Sequence, residues 1–233
     1  MWLINSSIGR KLIMSITGVF LVLFLTFHGF MNFVVLFSQD AYNAIAAFLG
    51  ANWYALIATK ILAIGFVVHI VYAIILTFQN MKARGNIRYD VVKKQTGVSW
   101  ASQNMLVLGI IVLGFLILHL YQFWSKMQLV EIQHMVGVHV DEFLVDNATN
   151  GAYWIHYWFS QPLYSILYIV WLAALWFHLT HGVWSSLQSM GANNKTWMPR
   201  VKAISNVVAT VIILLFISIP VYFLLGGGAN WAV

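Results

Sequence analysis

Residues 12–38 read LIMSITGVFLVLFLTFHGFMNFVVLFS, a run of 27 residues without one charged side chain. A helix needs roughly 20 such residues, at 1.5 Å each, to cross about 30 Å of hydrocarbon. Four more apolar runs follow, near 54–81, 102–127, 161–189 and 203–226. Across all 233 residues, 61% are hydrophobic and 8% charged, whereas soluble domains carry about a quarter charged. With a mean hydropathy of +0.83, a water-soluble fold would expose far more than the few hundred Å² of apolar surface that monomers tolerate. The expectation is an all-α integral membrane protein, a bundle of five transmembrane helices forming one domain over 1–233. The first run starts too late and lasts too long for a cleavable signal peptide, and no small-residue cleavage site follows it, so it is expected to stay in the mature chain. All runs but the last exceed the minimum length and are expected to tilt or project.

Charge placement orients the bundle. Arg10, Lys11, Lys82, Arg84, Arg88, Lys93, Lys94, Lys195, Arg200 and Lys202, ten of the twelve basic residues, fall at alternate helix ends. Basic residues beside a membrane favour the cytoplasm, so the N-terminus is expected inside and the C-terminus outside. Asp40, Glu131, Asp141, Glu142 and Asp146 occupy the opposite connections. The net charge of +6 thus records topology rather than a nucleic-acid partner. Trp53, Trp100, Trp154, Trp158 and Trp197 stand near span ends and are expected as interfacial anchors. The connection 128–160 is too short and polar to bury a core of its own. The basic stretch KARGNIRYDVVKK, 82–94, suits acidic headgroups or a docked protein.

Zero cysteines exclude disulfides, thiolate zinc, protein-ligated iron–sulfur clusters and covalent c-type haem. The spans contain no acid for a carboxylate proton relay, and there is neither a phosphate-cradling glycine loop nor a nucleophile with its base. Histidine is what the spans do carry: His28, His69 and His119 on the first three, and His178 with His181 on the fourth. Ionisable groups at membrane depth mark function by default, although any single histidine considered alone is better explained by a hydrogen bond to a neighbouring helix.

Depth sorts them. His28 precedes Asp40 by 12 residues and His119 precedes Glu131 by 12, so both lie roughly 18 Å from an outer marker. His69 follows Trp53 by 16 and His178 follows Gln161 by 17, about 24 to 26 Å down. His181 lies about 4 to 5 Å deeper than His178 and matches His69 less well. Two imidazoles at one depth are the axial ligands of a six-coordinate haem, whereas zinc commonly wants three or four protein ligands. The reading is therefore two haems b between the first four helices. Gly65 and Gly182, each four residues from a histidine on its own helix face, would admit a porphyrin or simply let helices pack. Ser15, Thr17, Thr26, Asn32, Thr77 and Thr180 are candidates for propionate or imidazole hydrogen bonds, or for bonds within the bundle. Arg84 and Arg88 are candidates to neutralise propionates. His134, His139 and His156 read as surface residues of the outer connection.

At these residues the chain resembles the single-chain, five-helix, di-haem cytochrome b subunit of succinate dehydrogenase or fumarate reductase. The resemblance rests on SSIGRKLIMSITG at 6–18, HGFMN at 28–32, HLTHGVW at 178–184 and the order of histidines on helices one to four. It implies His28 and His119 on the haem nearer the outside, and His69 and His178 on the one nearer the cytoplasm. It implies residence in a bacterial cytoplasmic membrane. It also implies a flavoprotein with covalent FAD and an iron–sulfur protein docked on the inner face, a dimer of the whole complex being compatible. Menaquinone would react near the outer haem, where Gln39, Asp40 and Asn43 are candidates for contact. The glutamate that some members carry two residues before the fourth-helix ligand is Trp176 here. The haem b subunit of a formate dehydrogenase, nitrate reductase or hydrogenase stays open as an alternative, as does a haem-free transporter or pH sensor.

Overall fold

A computed structural model describes residues 6–84, 99–192 and 194–231, and among them every regular element is a helix. Five helices are long and apolar enough to cross a membrane. They are α1 (Ser7–Phe33), α2 (Trp53–Arg84), α3 (Met105–His119), α4 (Pro162–Ser189) and α5 (Met198–Leu224). Large apolar residues face outward along them, Leu23 at 65%, Ile64 at 64% and Val207 at 62% exposure, a surface that only lipid would solvate. The chain is a multi-pass helical membrane protein.

Helix ends follow local chemistry. α1 begins five residues earlier than the apolar run predicts, because Ser6 Oγ accepts the Gly9 amide at 3.0 Å and caps it. Proline opens α4 and α5 within the first two positions, where no intrahelical donor is lost. The third span breaks at Asn104, between a one-turn helix, Trp100–Gln103, and α3. Beyond His119 it continues as a π-helical turn, Leu120–Trp124.

α4 and α5 form the most closely packed pair, with Ala209 and Ile212 sealed against Leu172, Leu175 and Leu179. α1 packs on α2, α4 and α5, while α3 packs on α4. The connections after α1, α3 and α5 gather at one end, hereafter the capped end. There Asn43 Nδ2 donates to Asn150 Oδ1 at 3.0 Å, the Ala152 amide donates to Asn43 Oδ1 at 2.9 Å, and Gln128 Nε2 donates to the Gly50 carbonyl at 3.2 Å. The connection 128–160 contains three helices, Gln128–Met135, Glu142–Asp146 and Gly151–Phe159. The last has no core of its own but buries Ile155 and Phe159 against Tyr168 and Trp171 of α4 and Ile219 and Phe223 of α5.

That packing corrects the aromatic anchors. Trp53, Trp100 and Trp197 are exposed, but Trp154 and Trp158 are 4% and 9% exposed. Their indole N–H groups donate inward, to the Asn147 carbonyl at 2.9 Å and the Gln122 carbonyl at 3.0 Å. Both are core residues, because the Gly151–Phe159 helix folds back over the span ends. The basic stretch 85–94 lies outside the described residues, as do Arg88 and the side chain of Arg84.

Candidate functional site

His28 of α1 and His119 of α3 face one another with ring centroids 5.9 Å apart and planes at 83°. Their helices do not pack closely together, and the two rings meet between them. Aromatic side chains close around the pair. Phe24 stacks on His28 at 5.2 Å and Phe216 lies 5.6 Å away, while Phe123, Trp171 and Tyr168 surround His119 at 5.2, 5.9 and 6.3 Å. A metal ion held between two imidazoles by bonds of about 2 Å puts the ring centres roughly 6 Å apart. The observed separation therefore suits two ligands on one ion. No group of three or more His, Asp or Glu positioned for a metal occurs among the described residues. Two nitrogens fit an iron whose other four positions a porphyrin fills.

His69 of α2 lies beside Gly18 of α1, and His178 of α4 lies beside Gly109 of α3. A Cβ built on Gly18 of α1 would lie 3.6 Å from His69 Cε1, and one on Gly109 of α3 would lie 4.0 Å from His178 Cε1. His178 Nδ1 is buried without a hydrogen-bond partner, as is His181 Nδ1. His181 turns to Trp184, edge to face at 4.9 Å, over which Lys202 Nζ also sits at 4.5 Å.

Each ring of three histidines has a polar neighbour. Thr17 Oγ lies 3.2 Å from His69 Nδ1. Tyr168 Oη lies 3.4 Å from His119 Nδ1 and donates to Gln122 Oε1 at 2.7 Å. His28 is arranged differently, since Asn32 Nδ2 stands 3.3 Å from Nδ1 and 3.4 Å from Nε2 and presents a donor to the ring edge. Asn32 is itself fixed, donating to the His28 carbonyl at 2.8 Å and accepting from Tyr42 Oη at 2.9 Å.

The remaining sequence candidates divide. The position beside Gly65 is filled by Phe20, whose Cε1 would lie 2.8 Å from an added Cβ, so this glycine serves the α1–α2 contact. Beside Gly182 no atom lies within 4 Å. Ser15 is buried and donates to the Lys11 carbonyl at 2.9 Å, and Thr26 and Thr180 likewise bond back to their own helix. Trp176 Nε1 donates to Thr210 Oγ of α5 at 3.0 Å. Gln39 and the exposed Asp40 form the first turn of helix Gln39–Phe48, capped by Ser38. Asn43 is engaged in the clamp to Asn150 and Ala152. His134 and His139 are exposed, whereas His156 stacks on Trp231 at 6.2 Å.

Glu131 and His134 border a shallow cavity at the capped end with Ala51 and Val130. Burial raises the Glu131 carboxyl above its ordinary range, an effect partly offset by the Ala51 backbone N–H bonded to it. Tyr168, Gln122, Gly18 and Gly109 are the neighbours that sequence reasoning does not single out. Gln122 alone had a signal, as a polar residue one turn after His119.

No protein family matches the chain, and neither does any curated protein or solved structure.

Proposed function

We propose that this chain is the di-haem cytochrome b membrane anchor of a succinate:quinone oxidoreductase. In that role it passes electrons between a cytoplasmic iron–sulfur subunit and menaquinone. The observation that carries the reading is the 5.9 Å approach of the His28 and His119 rings inside an aromatic jacket. His28 and His119 would hold the haem nearer the capped end, and His69 and His178 would hold the haem nearer the basic end. Bound haem supplies one-electron Fe(III)/Fe(II) chemistry.

The chain's own residues do the rest. The histidines fix the positions of the iron, and Phe24, Phe123, Trp171 and Phe216 exclude water from the upper pair. Lys82, Arg200 and Lys202 belong to the end on which the flavoprotein, with its FAD, and the iron–sulfur protein would dock, facing the cytoplasm of a bacterial cell. Dicarboxylate chemistry belongs to those partners. Quinone belongs to the capped end, with Gln39 and Asp40 as contacts, and Asn43 already occupied in holding two helices together.

The test is a reduced-minus-oxidised visible spectrum of native membranes containing the complex. Succinate is expected to give the sharp bands of reduced b-type haem, lost when the chain is deleted. Reduction by formate or hydrogen and not by succinate would assign the chain to a different electron-transfer complex.

A further inference from the structure

A neutral imidazole carries its proton on one ring nitrogen, and only the bare nitrogen can bind a metal. The partner of the other nitrogen decides which one is bare. Tyr168 has one hydroxyl proton, and it is directed to Gln122 Oε1 at 2.7 Å. Toward His119 Nδ1, 3.4 Å away, the tyrosine oxygen therefore offers only lone pairs. Thr17 repeats the logic on another helix. Its proton is directed to the carbonyls of Ile13 and Met14, both at 3.0 Å, so toward His69 Nδ1 at 3.2 Å it accepts. With the hydroxyl protons so directed, each Nδ1 would be the donor and Nε2 would be left bare.

Gln122 is buried where this matters, with its side-chain Oε1 bonded to Tyr168 and its Nε2 left without a hydrogen-bond partner. It is 0% exposed, it sits in the π-helical turn directly after His119, and its backbone carbonyl accepts the Trp158 indole at 3.0 Å. Turning its amide over would make it a donor to Tyr168. The tyrosine proton would then pass to His119 Nδ1, and His119 Nε2 would carry hydrogen and be closed to a metal.

We propose that Gln122 acting through Tyr168, and Thr17 acting directly, are positioning residues that hold His119 and His69 as Nδ1–H tautomers with Nε2 free to ligate iron. This inference rests on the haem reading above. An accepted Nδ1–H also raises the basicity of an axial imidazole, which favours ferric iron. Each residue therefore tunes one haem and not the other.

The experiment is a redox titration of both haems in the purified complex, for the native chain, Tyr168→Phe, Thr17→Val and the conservative Thr17→Ser. In Tyr168→Phe the reduction equilibrium of the His28/His119 haem is expected to move about tenfold toward ferrous, about 59 mV for one electron, with the other haem unmoved. Thr17→Val is expected to move only the His69/His178 haem in the same sense, and Thr17→Ser to restore it. Both potentials unchanged in Tyr168→Phe, or both shifted together, would overturn the proposal. A ¹⁵N spectrum of the histidine-labelled chain separates this from failure of the haem reading. Without any haem, Nδ1–H signals at His119 and His69 still support the tautomer assignment, and Nε2–H signals refute it.

Discussion

His28 and His119 meet edge to face across 5.9 Å, although the helices bearing them do not pack closely together. His119 also approaches Tyr168 of α4, the helix that α3 packs against, and His28 approaches Asn32 of its own helix, but no hydrogen bond joins the two rings to each other. Two costly polar side chains meeting at this depth are what the proposed haem site would require.

Removing one member of a pair should remove one haem. In His119→Ala, pyridine haemochrome analysis is expected to give one haem per chain in place of two, and His178→Ala is expected to give the complementary loss. His181→Ala should retain both, because its ring is turned to Trp184. Loss of a haem in His181→Ala with retention in His178→Ala would reverse that assignment.

The two glycines should part company. An alanine at Gly65 collides with Phe20 at 2.8 Å and is expected to weaken the α1–α2 contact, by about 1–3 kcal/mol for an overpacked site. Among the described residues no atom lies within 4 Å of a Cβ added at Gly182. Gly182→Leu is therefore expected to leave thermal stability unchanged while lowering occupancy of the His69/His178 haem, and full occupancy would show that the porphyrin does not lie there.

Asn43 clamps two helices at the capped end through a donated and an accepted hydrogen bond. Asn43→Ala leaves the Asn150 and Ala152 groups short of a partner and should destabilise the protein by about 1–3 kcal/mol. Quinone turnover per folded complex should be unaltered. A selective fall in turnover with no change in melting would make Asn43 a quinone contact.

Glu131 gives the chain a pH dependence of known sign. Its carboxyl is raised by burial in the folded state, so the folded chain holds its proton to higher pH than the unfolded chain does. That stabilisation is complete below the unfolded value and is lost as pH rises through the folded one. Melting measured upward from about pH 4.5, near the unfolded value, should show falling stability, and Glu131→Gln should flatten the slope. An unchanged slope in that variant would place the effect elsewhere.

The five spans were legible because lipid demands long apolar runs, and their limits differ from the structure by a few residues where a cap such as Ser6 extends a helix through a polar-looking segment. Trp154 and Trp158 were misread as anchors for a physical reason. An aromatic residue near a span end has the same local sequence whether it meets headgroups or a covering helix, and only the fold of Gly151–Phe159 over α4 and α5 decides. Thr17 and Asn32 could be suspected as polar groups in a span on the same helix as His28. Tyr168 could not be, since its meeting with His119 depends on the lateral register of α3 and α4 and on the π-helical turn that swings Gln122 inward.

The most direct measurement is the visible absorption spectrum of the purified native complex, with haem counted per copy of this chain. The account predicts two low-spin b-type haems. A colourless chain, or one whose haem survives substitution of both His28 and His119 undiminished, would contradict it.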